Sequence, residues 1–184
     1  MNCTDELCLD HEKIAALLTI LDLSIKKLES GKVASLEDLR WLFEFNRDFV
    51  ICNHNQKEEN VLFPALVSAG FPGEHIDSLI EEHHRIRSRA KTVRGFIEDY
   101  GEGAFGARAR LADAGRKYID VLKEHIEFEE KAVYPVAEEL LSNELDEHLT
   151  AKLRVFVETR VGVGRLIDLQ EVLDSLKEIY GIET

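Results

Sequence analysis

Apolar residues recur along most of this chain at alternating steps of three and four, the period of a helix that buries one stripe against its neighbours. From about Asp5 to Glu29 the stripe runs Leu7, His11, Ile14, Leu18, Leu21, Ile25 and Leu28, and Ser30-Gly31 marks its end. A second helix is expected from near Ser35, where Asp38 three residues on fits a loose capping box. It carries Leu36, Leu39, Phe43, Val50, His54, Glu58, Val61 and Ala65 on one side, Arg40 and Arg47 blur the stripe, and Pro64 is expected to kink or end it. Ala69-Gly70-Phe71-Pro72-Gly73 reads as a turn. The third helix spans about Glu74 to Tyr100, with Ile76, Leu79, His83, Ile86, Ala90, Val93 and Ile97 in its seam, and Gly101-Glu102-Gly103 breaks it. The fourth runs from about Phe105 to Leu141 with Leu111, Gly115, Tyr118, Leu122, His125, Glu129 and Ala132 in line, and Pro135 is expected to kink its last part. Beyond it lie one or two shorter helices, separated near Gly162-Val163-Gly164.

No strand pattern competes. The expected class is all-α: an antiparallel up-down four-helix bundle over residues 1–142, with additional C-terminal helices over 143–184 packed on it.

Composition sharpens this in three places. Only three prolines interrupt 184 residues, which suits a mostly helical chain. No apolar run approaches the ~18 residues that span a bilayer, and the acidic N-terminus lacks the basic and apolar regions of a secretory signal. The balance of 23 Lys+Arg against 36 Asp+Glu, a net charge of −13, opposes a nucleic-acid phosphate backbone. Cys3, Cys8 and Cys52 form neither a disulfide framework nor a C-x-x-C thiolate site. They suit the reducing cytoplasm and read as small packed hydrophobes.

The histidines change the picture most. Asp10-His11-Glu12-Lys13-Ile14 is followed, 43 residues after its His, by His54-x-x-x-Glu58-Glu59 and then Phe63-Pro64. Glu82-His83-His84-Arg85-Ile86 is followed, 42 residues after its first His, by His125-x-x-x-Glu129-Glu130 and then Tyr134-Pro135. His and Glu at i and i+4 share a helical face. Each half therefore aims two histidines and a carboxylate inward, as two helix pairs about a pseudo-two-fold axis. Burying such groups uncompensated costs several kcal/mol per charge, and a metal offsets that. No matching set of buried Lys or Arg is evident, and Arg47 and Arg87 could serve as partial partners. Imidazole plus carboxylate suits iron, zinc, manganese or copper. Six ligands, His11, His54, Glu58, His83, His125 and Glu129, exceed the four of tetrahedral zinc and suit two carboxylate-bridged ions with open positions.

These residues, with the flanking Leu62-Phe63-Pro64 and Val133-Tyr134-Pro135, resemble the hemerythrin-like, or HHE cation-binding, family over about residues 8–137. The resemblance implies a four-helix bundle around two non-haem iron ions bridged by carboxylates, with zinc or manganese as substitutes. It implies a function among binding or sensing dioxygen or nitric oxide, reducing them, and supplying iron for cluster repair. The chain departs from classical hemerythrin on the third helix. There two histidines stand at i and i+4, and here Leu79 and Arg87 occupy the positions either side of His83. Simple reversible oxygen carriage is thereby placed in question. Glu81, Glu82 and His84 are the neighbours that a helix rotation would bring inward.

Glu59 and Glu130 read either as hydrogen-bond acceptors for facing histidines or as surface carboxylates. Tyr118 reads as core, and His75 and His148 as solvent-exposed. The residues support a binding or sensing module for a diatomic ligand, with a di-iron enzyme, an iron donor and a single structural ion as alternatives. Whether the protein turns over a substrate stays open at this point.

Overall fold

The computed structural model describes residues 2–182, and among them there are six helices and no strand. Helix α1 is Cys3–Glu29. It opens with a capping box, in which Asn2 accepts the Asp5 N–H at 2.7 Å and Asp5 accepts the Asn2 N–H at 2.8 Å. Helix α2 starts at Leu36 and continues without a break to Ser68, through π-helical turns at Asn46–His54 and Glu58–Leu62. Ser35 caps it by accepting the Asp38 N–H at 3.2 Å. The Asp38 carboxylate does not close the box and instead accepts from the Tyr180 hydroxyl at 2.8 Å.

Helix α3 is Gly73–Gly101. Helix α4 starts at Ala107 and runs to Leu140, through a π-helical turn at Glu129–Val133. Helices α5 (Asn143–Arg160) and α6 (Val163–Tyr180) complete the chain. None of the described helices is long and apolar enough to cross a membrane.

Pro64 and Pro135 neither end nor interrupt their helices. Each follows directly on a widened π turn, Glu58–Leu62 in one half and Glu129–Val133 in the other. A π turn already departs from the i→i−4 ladder, so the missing proline N–H costs little there. The same widening explains the blurred stripe of α2. A π-helical run holds more residues per turn than 3.6, so Asn46, Phe49 and Asn53 turn inward while Arg47 stays on the surface.

Two apolar clusters fill the bundle. The larger joins Ile14, Leu18, Val50, Ile86 and Leu122, and Leu169, Leu173 and Leu176 of α6 seal it. The smaller joins Leu7, Leu62, Phe63, Leu79, Val133 and Tyr134, with Leu149 and Leu153 of α5. Between these clusters lies a buried polar layer. His11 falls between Leu7 and Ile14, and His83 between Leu79 and Ile86, so one helical turn on either side of each histidine is dry core.

Candidate metal centre

The six residues singled out by the repeat converge in that layer, each at most 3 % exposed. They form two overlapping groups: His11, His54, Glu58 and Glu129, and Glu58, His83, His125 and Glu129. Within each group one ligand atom from every residue lies within 4.8 Å of the others, so each could hold one ion. Glu58 and Glu129 belong to both. The arrangement follows from the fold. Helices α1 and α3 each contribute one histidine, α2 and α4 each a His and a Glu one turn apart, and antiparallel packing brings all four stripes to the same height.

The Nε2 atoms of His11 and His54 are 3.0 Å apart, and those of His83 and His125 2.9 Å. Glu58 Oε2 lies 3.5 Å from His54 Nε2 and 3.4 Å from His83 Nε2. Glu129 lies 3.3 Å from His11 Nε2 and 3.1 Å from His125 Nε2. Glu58 Oε2 and both Glu129 oxygens are buried without a hydrogen bond, and only Glu58 Oε1 has a partner, the Tyr134 hydroxyl at 2.7 Å. Buried carboxylate oxygens left in this state are costly. The four histidines and the orphaned oxygens of Glu58 and Glu129 are a donor set that could hold metal cations.

Burial by itself would lower the histidine pKa values. For His83, the nearby carboxylates of Glu129 and Glu58 and the hydrogen bond to Glu59 outweigh burial and raise it to about 11. For His125, the nearby carboxylate of Glu129 and the hydrogen bond to Glu82 raise it to about 9. His11 is raised against burial by Glu129. Burial would raise Glu129, but the surrounding histidines hold it well below the usual carboxylate range.

Three of the four outer nitrogens are held by carboxylates. Glu130 faces His11 Nδ1 at 2.9 Å, Glu59 faces His83 Nδ1 at 2.8 Å, and Glu82 faces His125 Nδ1 at 2.9 Å. Such partners fix the ring orientation and leave Nε2 to bind. Glu59 to His83 and Glu130 to His11 cross between the halves, and Glu82 to His125 acts within one. Asp10 stands 3.6 Å from His54 Nδ1, beyond hydrogen-bond reach, and accepts instead from the buried Lys57 at 2.8 Å. Glu59 also takes the Arg87 guanidinium at 2.8 Å, and despite burial its pKa falls to about 2.

Glu59 and Glu130 therefore act as histidine acceptors. Glu82 does the same and does not sit among the inner ligands, and Glu81 and His84 stay exposed, His84 against Arg87 at 3.1 Å. Arg47 pairs with Asp48 on the surface and takes no part. Tyr118 is core, bonded to Asn46 and packed on Phe43. His75 and His148 are exposed. Cys3 is buried, Cys8 half-buried and Cys52 exposed, and burial pushes all three thiols up.

Three contributors escaped the sequence reading. Asp10 and Lys57 form a pair that only the packing of α1 on α2 creates. Tyr134 lies flat against His11, with centroids 5.5 Å apart and planes at 12°, and its hydroxyl is 3.4 Å from His11 Nε2. Its counterpart Phe63 stacks likewise on His83 at 5.8 Å without a hydroxyl. The visible clue was the repeated aromatic-Pro after each His-x-x-x-Glu-Glu.

A four-helix bundle whose core is crossed by this histidine and carboxylate layer defines a metal-binding class. The hemerythrin HHE cation-binding domain matches residues 4–137, and the chain belongs to that family. Among curated proteins it is similar to the uncharacterised proteins Mb2018 of Mycobacterium bovis and Rv1995 and MT2051 of Mycobacterium tuberculosis. Each is 27% identical over 140 residues, which cover 75% of this chain and 54% of the relative. The chain thus spans about half the length of the curated relatives it matches. No solved structure matches it.

Proposed function

We propose that this chain is a cytoplasmic non-haem di-iron protein that binds or senses a small ligand such as dioxygen or nitric oxide. Its ions are held by His11, His54, Glu58, His83, His125 and Glu129, within a bundle domain assigned to residues 1–142, with a C-terminal extension assigned to 143–184 whose described helices pack on it. The observation that carries this reading is the sharing of Glu58 and Glu129 between two histidine pairs. A single structural ion needs only one pair, and its choice would leave the other pair buried and unsatisfied.

Imidazole and carboxylate donors with no thiolate among them suit iron or manganese, and six of them exceed the four of a tetrahedral zinc site. Two irons in this donor set supply reversible electron transfer and coordination positions that the protein leaves free. The chain's own part is to hold three of the rings by Glu59, Glu82 and Glu130, and to keep water out with the apolar clusters on either side.

A second reading, a di-iron enzyme or iron donor in oxidative or nitrosative stress defence, draws on Tyr134. Its buried hydroxyl sits beside the His11 position, where it can hold a proton for a bound ligand. Metal analysis of anaerobically purified protein, with absorption spectra before and after air or nitric oxide, tests both. Two irons per chain and a gas-dependent band that reverses under vacuum are expected for binding or sensing. Irreversible oxidation or loss of iron favours the second reading. One zinc with no spectral response refutes both.

A further inference from the structure

The two halves of the bundle are dressed differently on their outer faces. Residues of α3 stand 72 positions after their counterparts in α1, and residues of α4 stand 71 after theirs in α2. In the first half, α5 fills the groove between α1 and α2. Its Leu149 and Leu153 join Leu7, Val61 and Leu62 in one apolar cluster. Its Asp146 accepts the Cys3 N–H at 2.9 Å, and its Arg154 pairs with Glu6 at 2.9 Å.

The counterparts of Cys3, Glu6 and Leu7 are His75, Ser78 and Leu79, and those of Val61 and Leu62 are Ala132 and Val133. All five line an open groove of about 750 Å³ between α3 and α4. No described part of the chain occupies it.

The charges differ at one point. On the covered face, Asp10 is paired with the buried Lys57 at 2.8 Å. On the open face, their counterparts are Glu82 and Phe128, so the carboxylate is kept and the lysine is replaced by a ring that is 48% exposed. Both line the groove. Inward, Glu82 holds His125. Outward, its one cation is the exposed Arg85 at 3.7 Å.

We propose that the groove between α3 and α4 docks an amphipathic helix of a partner protein, which brings a lysine or arginine to Glu82. The helix seated in the counterpart groove argues for the shape of the occupant. The lysine present on one face and missing on the other argues for its charge. This inference does not depend on which metal the core holds.

The test uses two fluorescein-labelled synthetic peptides and the full-length protein. One peptide is residues 143–160, the helix seated in the counterpart groove. The other carries Val157→Lys, at a half-buried position continuing the seated face of Leu149, Thr150 and Leu153. Fluorescence anisotropy is expected to show saturable binding, at least about tenfold tighter for the lysine peptide, or ~1.4 kcal/mol.

Ala132→Trp, which fills the groove, is expected to abolish binding, with Val136→Glu as an independent block and circular dichroism as the folding control. Phe128→Lys supplies the missing cation from within and is expected to erase the preference for the lysine peptide. The proposal is overturned if neither peptide saturates, if the blocking variants bind unchanged, or if the lysine brings no gain. Self-association that Ala132→Trp abolishes, in the absence of peptide binding, assigns the face to a second copy. Binding to phosphatidylcholine vesicles in place of peptide assigns it to lipid. Either result overturns the proposal.

Discussion

Tyr134→Phe removes one oxygen and leaves the ring that covers His11. The hydroxyl donates at 2.7 Å to Glu58 Oε1, the only oxygen of the two shared carboxylates with a hydrogen bond to the described residues. Both groups are buried, at 2 % and 0 % exposure. A buried hydrogen bond to a charged group contributes roughly 1.5–3 kcal/mol. The stacked ring keeps its packing, so almost no cavity is added. For a chain of this size each kcal/mol shifts the midpoint by about 2–4 °C, so the metal-free variant is expected to melt roughly 3–12 °C lower. With metal bound, a cation partners the same carboxylate, and the loss is expected to fall to about half. Thermal melts of both forms, with and without chelator, read this directly. A metal-free variant within ~1 °C of the parent, or an equal loss in both forms, refutes the assignment of Tyr134 as the group that holds Glu58.

Three further outcomes are expected. Lys57→Met leaves Asp10 buried without its cation and is expected to destabilise by roughly 3 kcal/mol, read by urea titration, with Asp10→Asn in the same chain recovering part of the loss. The metal-free protein is expected to lose stability in alkali. His125 and His83 are raised to about 9 and about 11 in the folded chain, so the stability they contribute is full below ~6.5 and is lost as the pH climbs through those values. Melts from pH 7 to 10.5 should fall for the metal-free form and stay flatter for the loaded one. Gly115→Ala places a Cβ 2.5 Å from Ile25 Cδ1 in a closed core. It is expected to cost about 1–3 kcal/mol, and Ile25→Val, which removes that methyl, is expected to restore most of it.

Much of this was legible because its physics is local. Helix periodicity is written in the spacing of Leu and Ile, so α1, α3 and most of α4 fall close to where the stripe places them. The i, i+4 pairing of His54 with Glu58 and of His125 with Glu129 is a property of one helix, and its repetition pointed to one layer. The phase of α2 was harder to read, because the π-helical run at Asn46–His54 breaks the 3.6-residue count on which the reading rests. Pro64 likewise read as a kink or an end, and Pro135 as a kink. A proline ends a helix whose ladder needs its N–H, and these two follow turns whose ladder has already shifted.

Neighbours across helices were beyond reach. Glu82 could be seen only as an acidic residue before a histidine that a helix rotation would bring inward. Its acceptor role depends on which nitrogen of the facing helix arrives within hydrogen-bond reach, and that is set by the packing of α3 on α4. The same holds for Lys57, a plain surface lysine by its sequence context, which is buried because α2 turns it toward Asp10.

By itself the sequence determined the all-helical class, the four long amphipathic segments, the duplicated histidine and glutamate pattern and the family to which it belongs. Each of these is a matter of residue type and spacing along one chain. Only the tertiary structure decided that Glu58 and Glu129 stand between both histidine pairs, that Tyr134 and Phe63 make the two sides unequal, and that α5 covers one outer groove while its counterpart stays open. Those are distances between side chains far apart in sequence, and they exist only once the helices have packed.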